Sequence, residues 1–483
     1  MVIVGVASST LARIGETARA QPRFLVGHSA IQLTNPACIH RKRLGPQQLQ
    51  VQMPFTNVSA HASHGSGMKL CGACMLAALA IKNRFQPMRM YTPRRPNVSK
   101  AGTAGSVRSE VNESSSSMAT SGSFFDLAWY TIFHTWRTWY FATLFIFASL
   151  SAARFNPKVM VAFLFGHPGF YLTFGAISKA VYDADWKCIA DGIYKMPYDA
   201  DLWSMLQWMR PDRLTAYCKD ARAIADRAAR NGSYELPVTY RKPPTGSYPE
   251  YYLRNFHFQT DGWLSDASAA TYEVSTETLF TGTQDAMQRM GLSPIHYWLA
   301  NRTDAVSLEL LDAGCGTGRL LCQIVHNFPC FHVTALDLSP YYLDACRSKY
   351  AELQVSCSTI GPAEFVHANM EDLPCKDASK DVVVCAYVFH ELPPFARQQA
   401  VQEFWRVLRP GGLCVLLDSV QAGDLGPDME GTLQWFPRTF HEPYYKSWLD
   451  LDLDQLFGAF GFKAYCRGQR HVSKMVAWLK PTL

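Results

Sequence analysis

At 483 residues, with 48% hydrophobic and 18% charged side chains, the chain can bury a large core; a disordered or collagen-like protein is excluded, and 14 cysteines are too dilute for a disulfide-stapled scaffold. The net charge of +6 is unevenly placed: residues 1–109 hold fourteen Lys and Arg against the single acid Glu16, a balance of +13 that leaves −7 for the rest. An acidic body lacks the cationic surplus that phosphate neutralisation requires, so no nucleic-acid partner is expected.

Residues 1–117 read as a leader, Arg-rich, almost acid-free and rich in Ser and Ala. That is the composition of an organelle transit peptide, chloroplast first and mitochondrion as the alternative, or of a disordered extension. SVRSEVNESSSSMATSG has the composition of a linker, and Met118 within it is a second candidate start. CGAC from Cys71 to Cys74 has no βαβ context and is read as incidental.

Residues 118–180 form a hydrophobic segment with two runs, TWYFATLFIFASLSAA and VMVAFLFGHPGFYLTFGAIS, both near spanning length. The second is broken by His167, Pro168 and Gly169, and Trp129, Tyr130, Trp136, Trp139 and Tyr140 supply interfacial aromatics. A membrane anchor and a buried helical pair both fit. Residues 181–305 form an auxiliary helical region, with DRLTAYCKDARAIADRAARNG stopping at Gly232. His257, Asp261 and Trp263 within it are candidates for a lid over a bound ligand.

Residues 306–483 alternate between strand and helix patterns, which predicts an α/β domain built on a doubly wound, mostly parallel sheet. VSLELLDAGCGTGRLLCQI is strand, Gly-rich turn, helix, with Asp312 ending the strand and Gly314, Gly316 and Gly318 in the turn. Glycine is needed where the chain bends sharply or where a ligand must approach main-chain N–H groups. A nicotinamide fingerprint would require glycine where Arg319 stands. HVTALDLSP then puts Asp337 at a second strand end, 23 residues after Gly314, where a carboxylate can accept both ribose hydroxyls of a nucleoside. Leu338 can cover an adenine face, and Pro340 opens the next helix. FVHANMEDLP carries Asn369 and Met370 at a third strand tip, KDVVVCAYVFHELPP ends a fourth in His390 and Glu391, LCVLLDSV is a fifth, and FGFKAYCRG and QRHVSKMVAWLKP are two strand-like runs around a short polar connection. The cysteines show no metal-ligand spacing, so no metal is expected.

DAGCGTG, LDLS, NMEDLP and RVLRPGG resemble the successive motifs of class I S-adenosylmethionine-dependent methyltransferases, in the quinone and sterol methyltransferase-like branch. The likeness is close over about residues 306–420 and implies a Rossmann-like fold, ended by an antiparallel hairpin of the last two strand-like runs, with S-adenosylmethionine as cofactor. It also implies that Asp312, Gly314, Gly316 and Gly318 line the methionine part, Asp337 the ribose, and Leu338, Asn369 and Met370 the adenine. The family usually has Asp where this chain has Asn369, whose amide oxygen can still accept from the adenine amino group.

Methyl transfer asks the protein for alignment, exclusion of water and, for an O–H or acidic C–H acceptor, a base. His390 has the more suitable ordinary pKa for a base, with Glu391 beside it. His441, Glu442, Tyr444 and Tyr445 are candidates to wall the acceptor pocket. The function expected is methyl transfer to a small, hydrophobic acceptor such as a quinone, isoprenoid, pigment precursor or lipid, with membrane association. A protein methyltransferase and a non-catalytic assembly factor that binds the cofactor are the alternatives. Sequence does not fix the oligomeric state.

Overall fold

The computed structural model describes residues 89–90, 123–154, 168–236, 248–302, 307–425, 433, 437 and 440–482. Its strands are β1 (Arg89–Met90), β2 (Leu308–Ala313), β3 (Phe331–Asp337), β4 (Ala363–His367), β5 (Lys380–Ala386), β6 (Leu408–Ser419), β7 (Lys463–Arg470) and β8 (Ser473–Leu479). Its helices are α1 (Phe124–Ala152), α2 (Pro168–Ala190), α3 (Leu202–Trp208), α4 (Pro211–Ala229), α5 (Asp266–Leu279), α6 (Gln284–Gln288), α7 (Leu292–Ala300), α8 (Arg319–Asn327), α9 (Pro340–Ser356), α10 (Pro394–Val407), α11 (Tyr445–Leu449) and α12 (Leu453–Ala459).

All eight strands lie in one sheet of order β1-β7-β8-β6-β5-β2-β3-β4. The five from β6 to β4 are parallel, and β8, β7 and β1 are antiparallel to their neighbours. This is the expected doubly wound, Rossmann-like architecture closed by the expected hairpin. The centre is apolar on both faces: Leu310, Val382 and Val384 point into one core, Leu311 and Val383 into the other, and all five are fully buried. Two buried faces explain why β5 reads as an unbroken apolar run and not as an alternation. From β2 the chain winds outward through β3 and β4, then returns to place β5 on the opposite flank of β2. The carboxyl ends of β2 and β5 therefore border a topological switch point, the position where such sheets hold ligands.

The first hydrophobic run is α1, opened by a capping box between Ser123 and Asp126. Its Phe141, Leu144 and Ala148 pack on Trp208 and on Tyr217 and Ile224 of α4. Arg137, in the middle of α1, is fully buried and paired with Glu277 of α5 at 2.5 Å. Two of the aromatics expected at a membrane interface instead fasten α1 to the segment around α3: Trp129 Nε1 donates to the Ala200 carbonyl and Tyr140 Oη to that of Trp208, both at 2.6 Å. Among the described residues no helix is long and apolar enough to cross a membrane. Residues 159–167 of the second run lie outside the described residues.

The auxiliary helices are bolted to the sheet through a buried carboxylate. Asp185 of α2 accepts from Tyr130 and Tyr194 at 2.7 Å, from Arg289 at 2.5 Å and from Arg470 of β7 at 3.0 Å. Four donors offset the desolvation of a charge that is fully buried. In the leader, Arg89 and Met90 pair with Arg467 and Cys466 at the sheet edge, and the rest of residues 1–117 lies outside the described residues.

Candidate active site

A cavity opens at the carboxyl ends of β2 to β5, and Asp312, Gly314, Gly316, Asp337, Leu338, Asn369, Met370 and Glu391 all line it. The glycine turn is held from below: Gly314 and Cys315 donate to the Leu336 carbonyl at 2.8 and 3.0 Å, and Gly318 to that of Cys315 at 2.9 Å. The three glycines, all at positive φ, do different work. A Cβ on Gly318 would stand 2.5 Å from the Cys346 sulfur of α9, and one on Gly314 would stand 2.8 Å from a Val388 methyl. Both positions are reserved by the protein's own packing. A Cβ on Gly316 would meet nothing within 4 Å, so the room beside it belongs to the cavity. Gly318 does not line the cavity; it closes the turn onto α8 and α9.

Asp337 is pinned by two backbone donors, Gly316 N–H to one oxygen and Ser339 N–H to the other, each at 2.8 Å. Each oxygen keeps a second lone pair for a ligand hydroxyl. Burial pushes its pKa up to about 6, with the two N–H groups pulling the other way. Asp312 is pushed up to about 7, by burial and then by the Asp337 charge. Neighbouring carboxylates of this kind favour a ligand that brings hydroxyl donors or positive charge. Asn369 is turned onto Glu371: its Oδ1 accepts from Glu371 N–H at 3.1 Å and its Nδ2 donates to Glu371 Oε1 at 3.0 Å. Only the remaining Oδ1 lone pair is left for an adenine amino group.

Glu391 borders the cavity, whereas His390 stands behind it with Nε2 3.8 Å from Glu391 Oε1. His390 Nδ1 lies 2.6 Å from Asp418 at the end of β6. Burial alone would lower the His390 pKa, but Asp418, Glu442 and Glu391 outweigh it and push it up to about 10. The near-neutral imidazole read from sequence is thus held toward its protonated form. His257 arrives from the other side, Nε2 3.6 Å from Glu391 and Nδ1 3.4 Å from the buried Glu442. Burial pulls its pKa down as well, and Glu442 and Glu391 prevail and raise it. His257, His390 and Glu391 thus bring three potential metal-ligand atoms within 4.8 Å of one another, a grouping that sequence spacing did not show. Both imidazoles are held toward their protonated form.

The expected lid divides. Trp263 lines the cavity and its carbonyl accepts from Ser339 Oγ, His257 joins the Glu391 cluster, and Asp261 is not a lining residue. Of the residues expected to wall the acceptor pocket, Glu442 backs His257, Tyr445 packs 6.0 Å from His390, His441 lies 5.2 Å from Phe258, and the Tyr444 carbonyl accepts from Arg397. None of the four lines the cavity. Its aromatic cover comes from Tyr251, Tyr252, Phe256 and Tyr272, which sequence did not single out. Asp418 was also missed, although a carboxylate ending the strand next to that of His390 was a usable signal.

Residues 311–416 match a family model described as a methyltransferase domain. A demethylmenaquinone methyltransferase of Deinococcus radiodurans is 34% identical over 110 residues, 23% of this chain and 42% of its own length. An O-methyltransferase of Aspergillus nomiae is 33% identical over 205 residues, 42% of this chain and 78% of its own. A solved S-adenosylmethionine-dependent methyltransferase of Methanosarcina mazei overlaps 37% of this chain and 94% of its own, at 20% identity and a TM-score of 0.31. The chain spans about half or less of the demethylmenaquinone methyltransferases it matches, 42% and 51% of two of them.

Proposed function

Because the chain belongs to the class I S-adenosylmethionine-dependent methyltransferases, in their quinone-methyltransferase-like branch, we propose that it methylates a small, hydrophobic acceptor carrying an ionisable O–H or C–H. Quinones, isoprenoids, pigment precursors and lipids are of this kind. One observation carries the cofactor half of the reading: Asp337 is pre-aimed by Gly316 N–H beside a glycine whose missing side chain leaves open cavity.

The residues present fit the cofactor. When bound, S-adenosylmethionine supplies a methyl group on a positively charged sulfur, so donor activation needs nothing from the protein. Asp337 accepts the ribose hydroxyls, Leu338 and Met370 cover the adenine, and Asp312 and the glycine turn border the methionine part. At the acceptor end Glu391 takes the proton, because it reaches the cavity and His390 already holds one. His390 and His257 position it, flanking its carboxylate with positive charge. The tyrosine and tryptophan cover keeps water from the transfer.

The pH dependence has a defined sign. A ribose hydroxyl needs the ionised Asp337, whose pKa without ligand is about 6. Affinity for S-adenosylhomocysteine is expected to fall as pH drops below about 6, approaching tenfold per unit. Calorimetry across that range checks it, and an affinity that holds or rises toward acid contradicts the ribose role of Asp337.

The acceptor class rests on the apolar cavity cover and on the exposed Phe124, Phe125, Ile132 and Trp139 of α1 with Leu202 and Trp203 of α3, a surface suited to a membrane face. With the basic leader this supports an organelle membrane, chloroplast first and mitochondrion second, as the place of action. The test is incubation with methyl-labelled S-adenosylmethionine and an organelle extract, separated afterwards into lipid and protein fractions. Label in the lipid fraction is the expected result. Label in protein alone favours a protein methyltransferase, and cofactor binding with no label anywhere favours a non-catalytic assembly factor.

A further inference from the structure

The histidine and glutamate cluster at the acceptor end has the shape of a cation site. His257 and His390 turn Nε2 toward the same atom, 3.6 and 3.8 Å from Glu391 Oε1, and one ligand atom from each of the three residues lies within 4.8 Å of the others. Ligand atoms on a tetrahedral ion with bonds of about 2.0–2.1 Å stand about 3.3–3.5 Å apart, so both edges are close to coordination spacing. Behind each imidazole is a buried carboxylate: His390 Nδ1 lies 2.6 Å from Asp418, and His257 Nδ1 lies 3.4 Å from Glu442. A carboxylate on one ring nitrogen fixes the tautomer that leaves the other free to ligate, which is how metal-binding histidines are oriented. His257 reaches its place at φ +55°, a left-handed conformation uncommon for a residue with a Cβ. The side chains of His257, Glu391 and His390 are 21%, 15% and 10% exposed, so the point between them is not sealed. Exchanging two imidazolium protons for one dication leaves the net charge of the cluster unchanged.

We propose that His257, His390 and Glu391 form a site for one divalent first-row transition cation of the zinc type, bound through the two Nε2 atoms and Glu391 Oε1. Two imidazoles and one carboxylate suit such an ion; magnesium and calcium, which prefer oxygen ligands, are not expected there. The site stands apart from the cofactor, and only its consequence rests on the reading of Glu391 as the base. A carboxylate that ligates a dication is a weaker base, so Glu391 cannot hold the ion and take the proton of the acceptor at once. The ion therefore restrains methyl transfer, and the acceptor end carries a metal-responsive brake. His257 gives the auxiliary region a direct part in it, since the other two ligands follow β5.

The test titrates cobalt(II), then zinc(II), into the purified, metal-free full chain with no methyl donor present. Cobalt should give visible ligand-field bands that saturate at one ion per chain, without the near-ultraviolet band that cysteine thiolates add, and zinc should displace it while magnesium does not. His257→Gln and Glu391→Gln should each weaken zinc binding by more than about a hundredfold, and Asp418→Asn, which keeps the shape behind His390, by roughly tenfold to a hundredfold. Affinity for S-adenosylhomocysteine within about twofold of wild type in the three variants shows that they are folded. No binding by wild type, a thiolate band, or zinc affinity unchanged in the variants overturns the site. Zinc at saturation should slow label transfer into the lipid fraction by at least about tenfold, and a chelator should restore it. Zinc bound as described without any slowing supports the site and overturns the brake, and with it Glu391 as the base. Zinc binding in a folded chain that does not bind S-adenosylhomocysteine overturns the cofactor reading and leaves the site standing.

Discussion

Asp337→Ala is expected to lower the affinity for S-adenosylhomocysteine by roughly two to three orders of magnitude, the worth of two hydrogen bonds to a charged acceptor. The variant loses more than the ribose contacts, since Gly316 N–H and Ser339 N–H lose the oxygens that hold them at 2.8 Å. The glycine turn itself stays tied to the Leu336 carbonyl through Gly314 and Cys315, so the fold should survive. Asp337→Asn separates the parts: it keeps the shape and one acceptor and forfeits the charge, and its loss should fall between wild type and alanine. Calorimetry with a melting curve as control measures both. An alanine variant that melts like wild type and binds within about threefold of it would remove Asp337 from the site.

Glu391→Gln is expected to leave that affinity within about twofold and to slow methyl transfer by roughly a hundredfold to ten-thousandfold, the range for removing a positioned base. The observable is the initial rate of label transfer into the lipid fraction. His390→Gln should slow the same rate less, because His390 acts through Glu391 from 3.8 Å and does not line the cavity. A positioning role has its own signature: His390→Gln should lower kcat while leaving the KM for S-adenosylmethionine within about twofold, and His390→Lys, which restores a positive charge there, should recover part of the rate. Unchanged turnover in Glu391→Gln, with full loss in His390→Gln, would return the base to the histidine.

Much of this was legible because the determining interactions are local. The β2 to α8 turn declares itself through glycines at fixed spacing, and Asp337 and Pro340 follow from strand and helix grammar. Two of those glycines are structural, however: Gly314 makes room for Val388 and Gly318 for Cys346, and only coordinates distinguish them from Gly316. The acceptor end was half legible. His390 and Glu391 could be found as a strand tip, but the protonation of His390 depends on Asp418 and Glu442, carried by other segments of the chain. His257 was read as a lid because nothing local to it shows Glu391 and Glu442 closing on its two nitrogens.

The ambiguous hydrophobic run was undecidable by length for a physical reason. Apolar side chains on α1 suit a protein core as well as lipid, and the burial of Arg137 could not be read locally because its partner Glu277 lies 140 residues away. The auxiliary region was legible as helices, and its part in the site only as a lid. Asp199 and Asp285 look like ordinary polar positions until the fold sets them around Arg319.

The most direct measurement is titration of S-adenosylhomocysteine into the purified full chain by calorimetry, with circular dichroism to establish that it is folded. One ligand per chain, bound with heat that disappears in Asp337→Ala, is the expected result. A folded protein that gives no heat would contradict the assignment of this cavity to the methyl donor.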